Sequence, residues 1–205
     1  MESNKNLFLV IKPESEKTKT ILNNIMIMLG NRIYIDKSGN KQALVNPEEA
    51  INNIDDRGDR TYTIKTNNGD KYAIKIVFQR ISATGKQSIV NEFFKEYAQY
   101  KKIIVAREFN HKIFDYVSKH QTQIFKENAL LENIIDQRDQ PKFELLSPTE
   151  IEKFKSEYNA TDYTTKKMNR NDAIAQYYAL RKGDIVRIIR PSPTSGEGID
   201  YRIVT

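Results

Sequence analysis

Cysteine is absent from the 205 residues of this chain. That removes disulfides, Cys-based zinc sites and any thiol nucleophile. Histidine is nearly absent too, and His111 and His120 alone cannot make a histidine-rich metal centre. Long apolar runs are missing. The run Leu7–Ile11 is too short and too poorly flanked for a signal peptide. No stretch approaches the ~20 apolar residues needed to span a bilayer. No internal repeat or low-complexity tract occurs. The sequon Asn159-Ala160-Thr161 has no secretory signal beside it and is read as chance. The expectation is a chain without disulfides, metal, cofactor or membrane partner. Its length suits one or two domains, each able to bury a core without staples.

The charge that is present is mildly positive, +6 in all, with most of the excess in residues 1–138. A diffuse excess permits nucleic-acid contact without requiring it, since a solvated surface carries the same signature. Ile21, Leu22, Ile25, Met26 and Leu29 recur at helical spacing, with Gly30 placed to cap the end. Asn46-Pro47-Glu48-Glu49 reads as the start of a helix, and Asp55–Arg60 as a charged loop. Thr61–Thr66 and Lys71–Phe78 alternate around Asn67-Asn68-Gly69-Asp70, a β-hairpin signal. A second amphipathic helix is predicted over Gln87–Tyr100. Its aromatics at spacings of three and four are core rather than a stacking platform. A strand at Ile103–Ala106, a helix at Ile113–Val117 and a strand at Gln123–Lys126 follow. Polar Asp136–Pro141 marks a domain boundary, giving domains 1–138 and 139–205. Ser147-Pro148-Thr149-Glu150 is a capping box that opens a helix with Ile151, Phe154 and Tyr158. A shorter helix around Asp172–Ala179 leads to strands at Ile185–Arg190 and Ile199–Val204. A turn-rich loop, Pro191–Gly198, separates them.

Three kinds of catalysis can be tested against the letters. Ala83–Ser88 lacks the first glycine and the final hydroxyl of a phosphate-binding loop, where Arg80 and Gln87 stand. No Gly-x-Ser-x-Gly elbow occurs. None of the 27 acids is followed two positions later by lysine, the arrangement a metal-dependent nuclease needs on one strand. Arginine stands there after Asp55, Asp136 and Asp200, and it stays protonated. No small-molecule substrate is suggested.

One pattern is specific. It runs Arg170-Asn171-Asp172-Ala173, then Tyr178-Ala179-Leu180-Arg181-Lys182-Gly183-Asp184-Ile185-Val186-Arg187-Ile188-Ile189-Arg190. It continues Pro191-Ser192-Pro193-Thr194-Ser195-Gly196-Glu197 and closes on Tyr201-Arg202-Ile203-Val204. This resembles the C-terminal assembly domain of common subunit five of DNA-directed RNA polymerases, which the eukaryotic polymerases share and which has an archaeal counterpart. The family reads Arg-x-Asp-Pro, a helix, Leu-Lys-x-Gly-x-Val-Val-Lys-Ile-x-Arg, x-Ser-x-Thr-Ala-Gly, then Tyr-Arg. Ala173 stands for the proline, Ala179 for a glycine, Arg181 for a lysine and Ser195 for an alanine. Pro141-Lys142-Phe143 stands where Pro-x-His is usual. Residues 1–138 resemble the family's N-terminal jaw domain more weakly, through the order helix, hairpin, long helix, strand. Archaeal members lack that domain. Heavy use of Asn, Ile and Lys is similar to a large cytoplasmic DNA virus homologue.

The resemblance implies an α+β fold of two domains: a jaw domain with a nuclease-like fold and no active site, and a small α+β assembly domain. It implies a non-catalytic subunit that anchors on the largest polymerase subunit and borders downstream DNA. It would be intracellular, in host cytoplasm and virion for a virus or in the nucleus for a cellular homologue. Candidate subunit contacts are Arg181, Gly183, Arg187, Arg190, Ser192, Thr194, Gly196, Tyr201 and Arg202. Gly183 is placed in a turn needing φ > 0, Arg187 on a strand with one apolar and one basic face, and Arg190–Gly196 in a proline-stiffened loop. A family loop near DNA carries Thr-Pro-Ser. The corresponding Arg107, His111 and Lys112 are the candidate DNA-proximal residues, as phosphate contacts. A free-standing DNA-binding regulator is the alternative, and a nuclease is third.

Overall fold

The computed structural model describes residues 13–36, 39–83, 85, 88–137, 140–192, 194 and 196–205. The apolar run Leu7–Ile11 lies outside the described residues. Helix α1 (Glu14–Asn31) buries Ile21, Ile25, Met28 and Leu29 completely, as its spacing predicts. Gly30 is not its cap. The helix continues to Asn31, and a Cβ on Gly30 would come within 2.5 Å of Pro47 Cγ. Glycine is there so that helix α2 (Pro47–Asn52) can pack closely. Between them, β1 (Ile33–Ile35) and β2 (Lys41–Ala43) form a two-stranded ribbon.

The larger sheet has the order β3-β4-β5-β6-β7. Its strands are β3 (Asp55–Asp56), β4 (Thr61–Lys65), β5 (Lys71–Ile81), β6 (Lys101–Phe109) and β7 (Thr122–Lys126). The hairpin β4–β5 turns at Gly69, φ +88. β5, β6 and β7 are parallel. Parallel strands need crossovers, supplied by α3 (Ile89–Glu96) and α4 (His111–Lys119). Both helices pack on one face: Val90, Phe93, Ile113 and Val117 meet Ala73, Val77, Ile104 and Ile124. On the other face α1, α2 and α5 (Glu127–Leu131) cover Ile74, Ile76, Ile103 and Val105. Cover on both faces is why β5 and β6 read as nearly continuous apolar runs.

The stretch Asp55–Arg60 is less of a loop than expected. Asp55–Asp56 pair with β4, and a tight turn follows with positive φ at Gly58, Asp59 and Arg60. That turn aims the Asp59 carbonyl and carboxylate at Lys75 on β5. Lys75 Nζ donates to them at 2.7 and 2.5 Å and to Thr61 Oγ1 at 3.0 Å.

After one 3-10 turn (Ile134–Asp136), the chain enters a second sheet of order β8-β10-β11-β9. It consists of β8 (Lys142–Leu145), β9 (Lys166–Met168), β10 (Ile185–Ser192) and β11 (Gly196–Val204). Helix α6 (Pro148–Tyr158) has both halves of its predicted capping box. It covers one face through Phe154, against Ile185 and Ile203. Helix α7 (Ala173–Tyr177) covers the other through Ile174 and Ala175, against Val186, Ile188 and Val204. The architecture among the described residues is α+β, with two main sheets and the small β1–β2 ribbon.

Candidate subunit and nucleic-acid interface

The candidate residues of the C-terminal half lie on or beside the β10–β11 hairpin, but at two ends of it. Gly183 has φ +93 and donates its N–H to Val204 O at 2.9 Å, which fixes the turn into β10 as expected. Arg181 is exposed beside it, and its backbone N–H is held by Asp184 Oδ2 at 2.7 Å. Arg190, Ser192, Thr194 and Gly196 lie at the opposite end. The eight-residue strand between them spans about 25 Å. The two groups therefore do not form one compact patch.

The loop expected over Pro191–Gly198 is mostly strand. Pro191 pairs with Glu197 and Ser192 with Gly196. Pro193 and Ser195 lie outside the described residues. Proline is tolerated because β8 ends opposite Ile189, leaving Pro191 with a strand neighbour on one side only. Gly196, φ +75, supplies the left-handed conformation of the turn.

Arg187 is also not as expected. β10 has no basic face: Val186 and Ile188 are buried on one side and Ile185 on the other. Arg187 stands opposite Glu144 on β8 and Tyr201 on β11. Its Nε and Nη2 donate to Glu144 Oε2 at 2.9 and 2.5 Å, and Lys142 Nζ lies 2.8 Å from Oε1. Hydrogen bonding from Lys142 and Arg187 holds the Glu144 carboxyl below its ordinary range against the opposing effect of burial. Tyr201 stacks on Phe154 at 4.3 Å between ring centroids, joining the hairpin to α6. Arg202 lies 3.8 Å from Asp200 through Nε, a buried nitrogen without a hydrogen bond. Arg187 and Tyr201 are thus largely committed within the domain. Arg181 and Arg190 are the exposed cations of the set.

The expected DNA-proximal loop does not exist as a loop. β6 runs to Phe109, and only Asn110 separates it from α4. Asn110 Oδ1 accepts the N–H of Ile113 at 2.9 Å, an N-cap, so chain direction reverses on a capped helix start. Arg107 is a strand residue whose Nε lies 3.9 Å from Glu127 Oε2, a buried oxygen otherwise unpartnered. His111 Nδ1 lies 3.2 Å from Asp115, and the residue lines a cavity of about 520 Å³ with Phe109, Phe114, Leu130 and Tyr177. Lys112 is exposed and has no ion pair among the described residues.

The joint between the two sheets was missed by sequence reasoning. Arg32, 3% exposed, donates through Nε to Tyr177 O at 2.8 Å and through Nη2 to Gln176 O at 3.2 Å. A residue after α1 thereby caps the last carbonyls of α7. Burial lowers its pKa against the raising effect of the Tyr72 and Tyr177 side chains, and no carboxylate among the described residues pairs with it. Gln123 Nε2 adds a second bond to Gln176 O at 3.0 Å. No local sequence signal marks these pairs. The same holds for Asp59 and Lys75: position 73, two residues before the lysine, is a buried alanine. The acid comes from a turn 16 residues earlier. Among the described residues no cluster of three or more acid or histidine side chains could hold a metal, and no helix is long and apolar enough to cross a membrane.

The hairpin, its glycine turns and the Tyr-Arg close carry the pattern on which the family resemblance rests, and comparison with known proteins supports that resemblance. The family profile described as RNA polymerase Rpb5, C-terminal domain, matches residues 132–204. DNA-directed RNA polymerase subunit 5 of Acanthamoeba polyphaga mimivirus is 51% identical over 204 residues, covering all of both chains. The subunit rpabc1 of polymerases I, II and III from Dictyostelium discoideum is 31% identical over 131 residues, 64% of this chain and 55% of that one. Subunit Rpo5 of Methanocaldococcus jannaschii is 38% identical over 64 residues, 31% of this chain and 82% of its own. This chain belongs to the DNA-directed RNA polymerase subunit 5 family. The expectation of the African swine fever virus member, drawn from length and residue usage, is not confirmed by these comparisons, which include a viral relative from mimivirus.

Proposed function

We propose that this chain is a non-catalytic subunit of a multisubunit DNA-directed RNA polymerase. In this reading residues 139–205 anchor on the largest subunit and residues 1–138 form part of the lower jaw beside downstream DNA. The observation that carries it is the 51% identity along the whole length to a viral polymerase subunit. The archaeal relative supports the division of labour, because its match falls on a segment that makes up 82% of its own length.

Arg181 and Arg190 are the cations best placed to meet a partner. Arg187 is a poorer candidate, since reversing its charge would set two carboxylates against each other at Glu144. Lys112, with Arg107 and His111 near it, would touch downstream phosphates without reading bases. The test separates the halves. Residues 139–205 and 1–138 are expressed apart and offered to the largest subunit. Capture by 139–205, weakened by Arg190→Glu, is expected; capture by 1–138 alone contradicts the assignment. In assembled polymerase, Arg107→Ala with Lys112→Ala should lower the slope of log affinity against log salt by about 0.9 for each duplex phosphate released. An unchanged slope with normal incorporation means these side chains do not hold DNA.

A further inference from the structure

A cleft of about 640 Å³ opens where α7 and the turn after it meet the edge of the larger sheet. Six cations line it: Arg32, Lys101, Lys102, Arg170, Arg181 and Lys182. No Asp or Glu is among its lining residues. They come from both halves of the chain, so the cleft exists only in the joined molecule. Two of the cations are buried without a carboxylate partner among the described residues. Arg32 is spent on carbonyls, and Lys102 Nζ donates to Tyr100 O at 2.9 Å. A buried cation that lacks a counter-charge is costly, and an anion entering the cleft would relieve it. Lys101 is held at the rim by Asp70. Arg170 and Lys182 are exposed and have no ion pair among the described residues.

We propose that this cleft binds an acidic, extended segment of a neighbouring protein chain. Gln121, Gln123 and Gln176 interleave with the cations. Amides both donate and accept, which a peptide backbone requires and a phosphodiester, an acceptor only, does not. The aromatic rings on the walls offer no stacking platform for bases: Tyr72 is 6% exposed, and Phe114 packs against Phe109. Multiple carboxylates spaced along an extended strand would meet cations on both walls, and orientation would come from the amides.

This goes beyond the assembly reading and shares with it only Arg181. The experiment therefore leaves that residue intact and uses the full chain alone. Binding is measured by fluorescence anisotropy with a short peptide alternating Asp and Gly, with its Asn-for-Asp counterpart, and with a single-stranded oligothymidylate of equal charge. The acidic peptide should bind and the Asn peptide should not. Arg170→Glu with Lys182→Glu should weaken the acidic peptide about tenfold or more. The control pair Lys153→Glu with Lys167→Glu, exposed and outside the cleft, should change it little. Absence of acidic-peptide binding overturns the proposal. So does equal loss in the control, which would mean non-specific attraction. Tighter oligothymidylate binding lost in the same cleft variant would make this a nucleic-acid channel instead. Capture by the largest subunit is scored separately, so failure here leaves the polymerase assignment standing.

Discussion

Ala179 has φ +52, in the left-handed region, at the end of α7. Leu180 N–H reaches Ala175 O at 2.8 Å and Ala179 N–H reaches Gln176 O at 3.1 Å, the two bonds of a Schellman cap. The family pattern has glycine there, and the reason is now visible: Ala carries a Cβ penalty that Gly escapes. Ala179→Gly should raise stability by about 0.5–1 kcal/mol, the relieved strain less the added chain entropy. A urea midpoint at or below wild type would refute this. Arg32 is the opposite case, a residue without local sequence signal on which the joint depends. Arg32→Ala takes a charged donor from the Tyr177 and Gln176 carbonyls of α7, of which Gln176 O keeps its bond from Gln123. The expected loss is about 2–3 kcal/mol. Amide exchange should rise first in α7 and in the strands it covers, and uniform change across the chain would argue against a local role.

Elements that carry their own period were legible. The stripes of α1 and α3, the hairpin β4–β5, the capping box of α6 and the strands β6 and β10 all follow from spacing and turn chemistry. Short elements were not. β8 and β9 have four and three residues, too few for a period, and are strands because β10 and β11 offer them edges. Pro191-Ser192 read as loop because proline and serine favour turns, yet pairing with Glu197 and Gly196 extends the hairpin. The cross-element ion pairs were equally hidden. At the start of α6, burial pushes the Glu150 carboxyl upward, but Lys41 at 2.5 Å and the Ser147 N–H outweigh it and bring it to about 2. A carboxyl depressed in the folded state stabilises above its ordinary value near 4.5 and loses that contribution as pH falls toward 2. Stability should therefore decline across this window, with Asp59, Asp70, Glu144 and Asp200 lowered in the same sense. Glu150→Gln should flatten part of that decline in urea titrations at stepped pH. An equally steep decline in the variant would mean that Glu150 is not a source of it.

At the scale of the molecule, two sheets are joined through Arg32, Gln123 and the aromatic pair Tyr177–Tyr178, which belongs to the core of the first sheet while sitting on α7 and its C-terminal cap. The family of the C-terminal half was legible because its motif spans two turns with fixed conformational demands, at Gly183 and Gly196. The candidate contacts do not form one surface: the hairpin separates them, Glu144 neutralises Arg187, and helix α4 replaces the expected loop. The central claim is that this chain works as part of a polymerase. Size-exclusion chromatography of the native protein from producing cells, with each fraction assayed for DNA-directed RNA synthesis, tests it most directly. The account predicts that the chain elutes only in a very large complex, coincident with the synthetic activity. Elution as a free species near its own mass of 23.9 kDa, away from that activity, would contradict it.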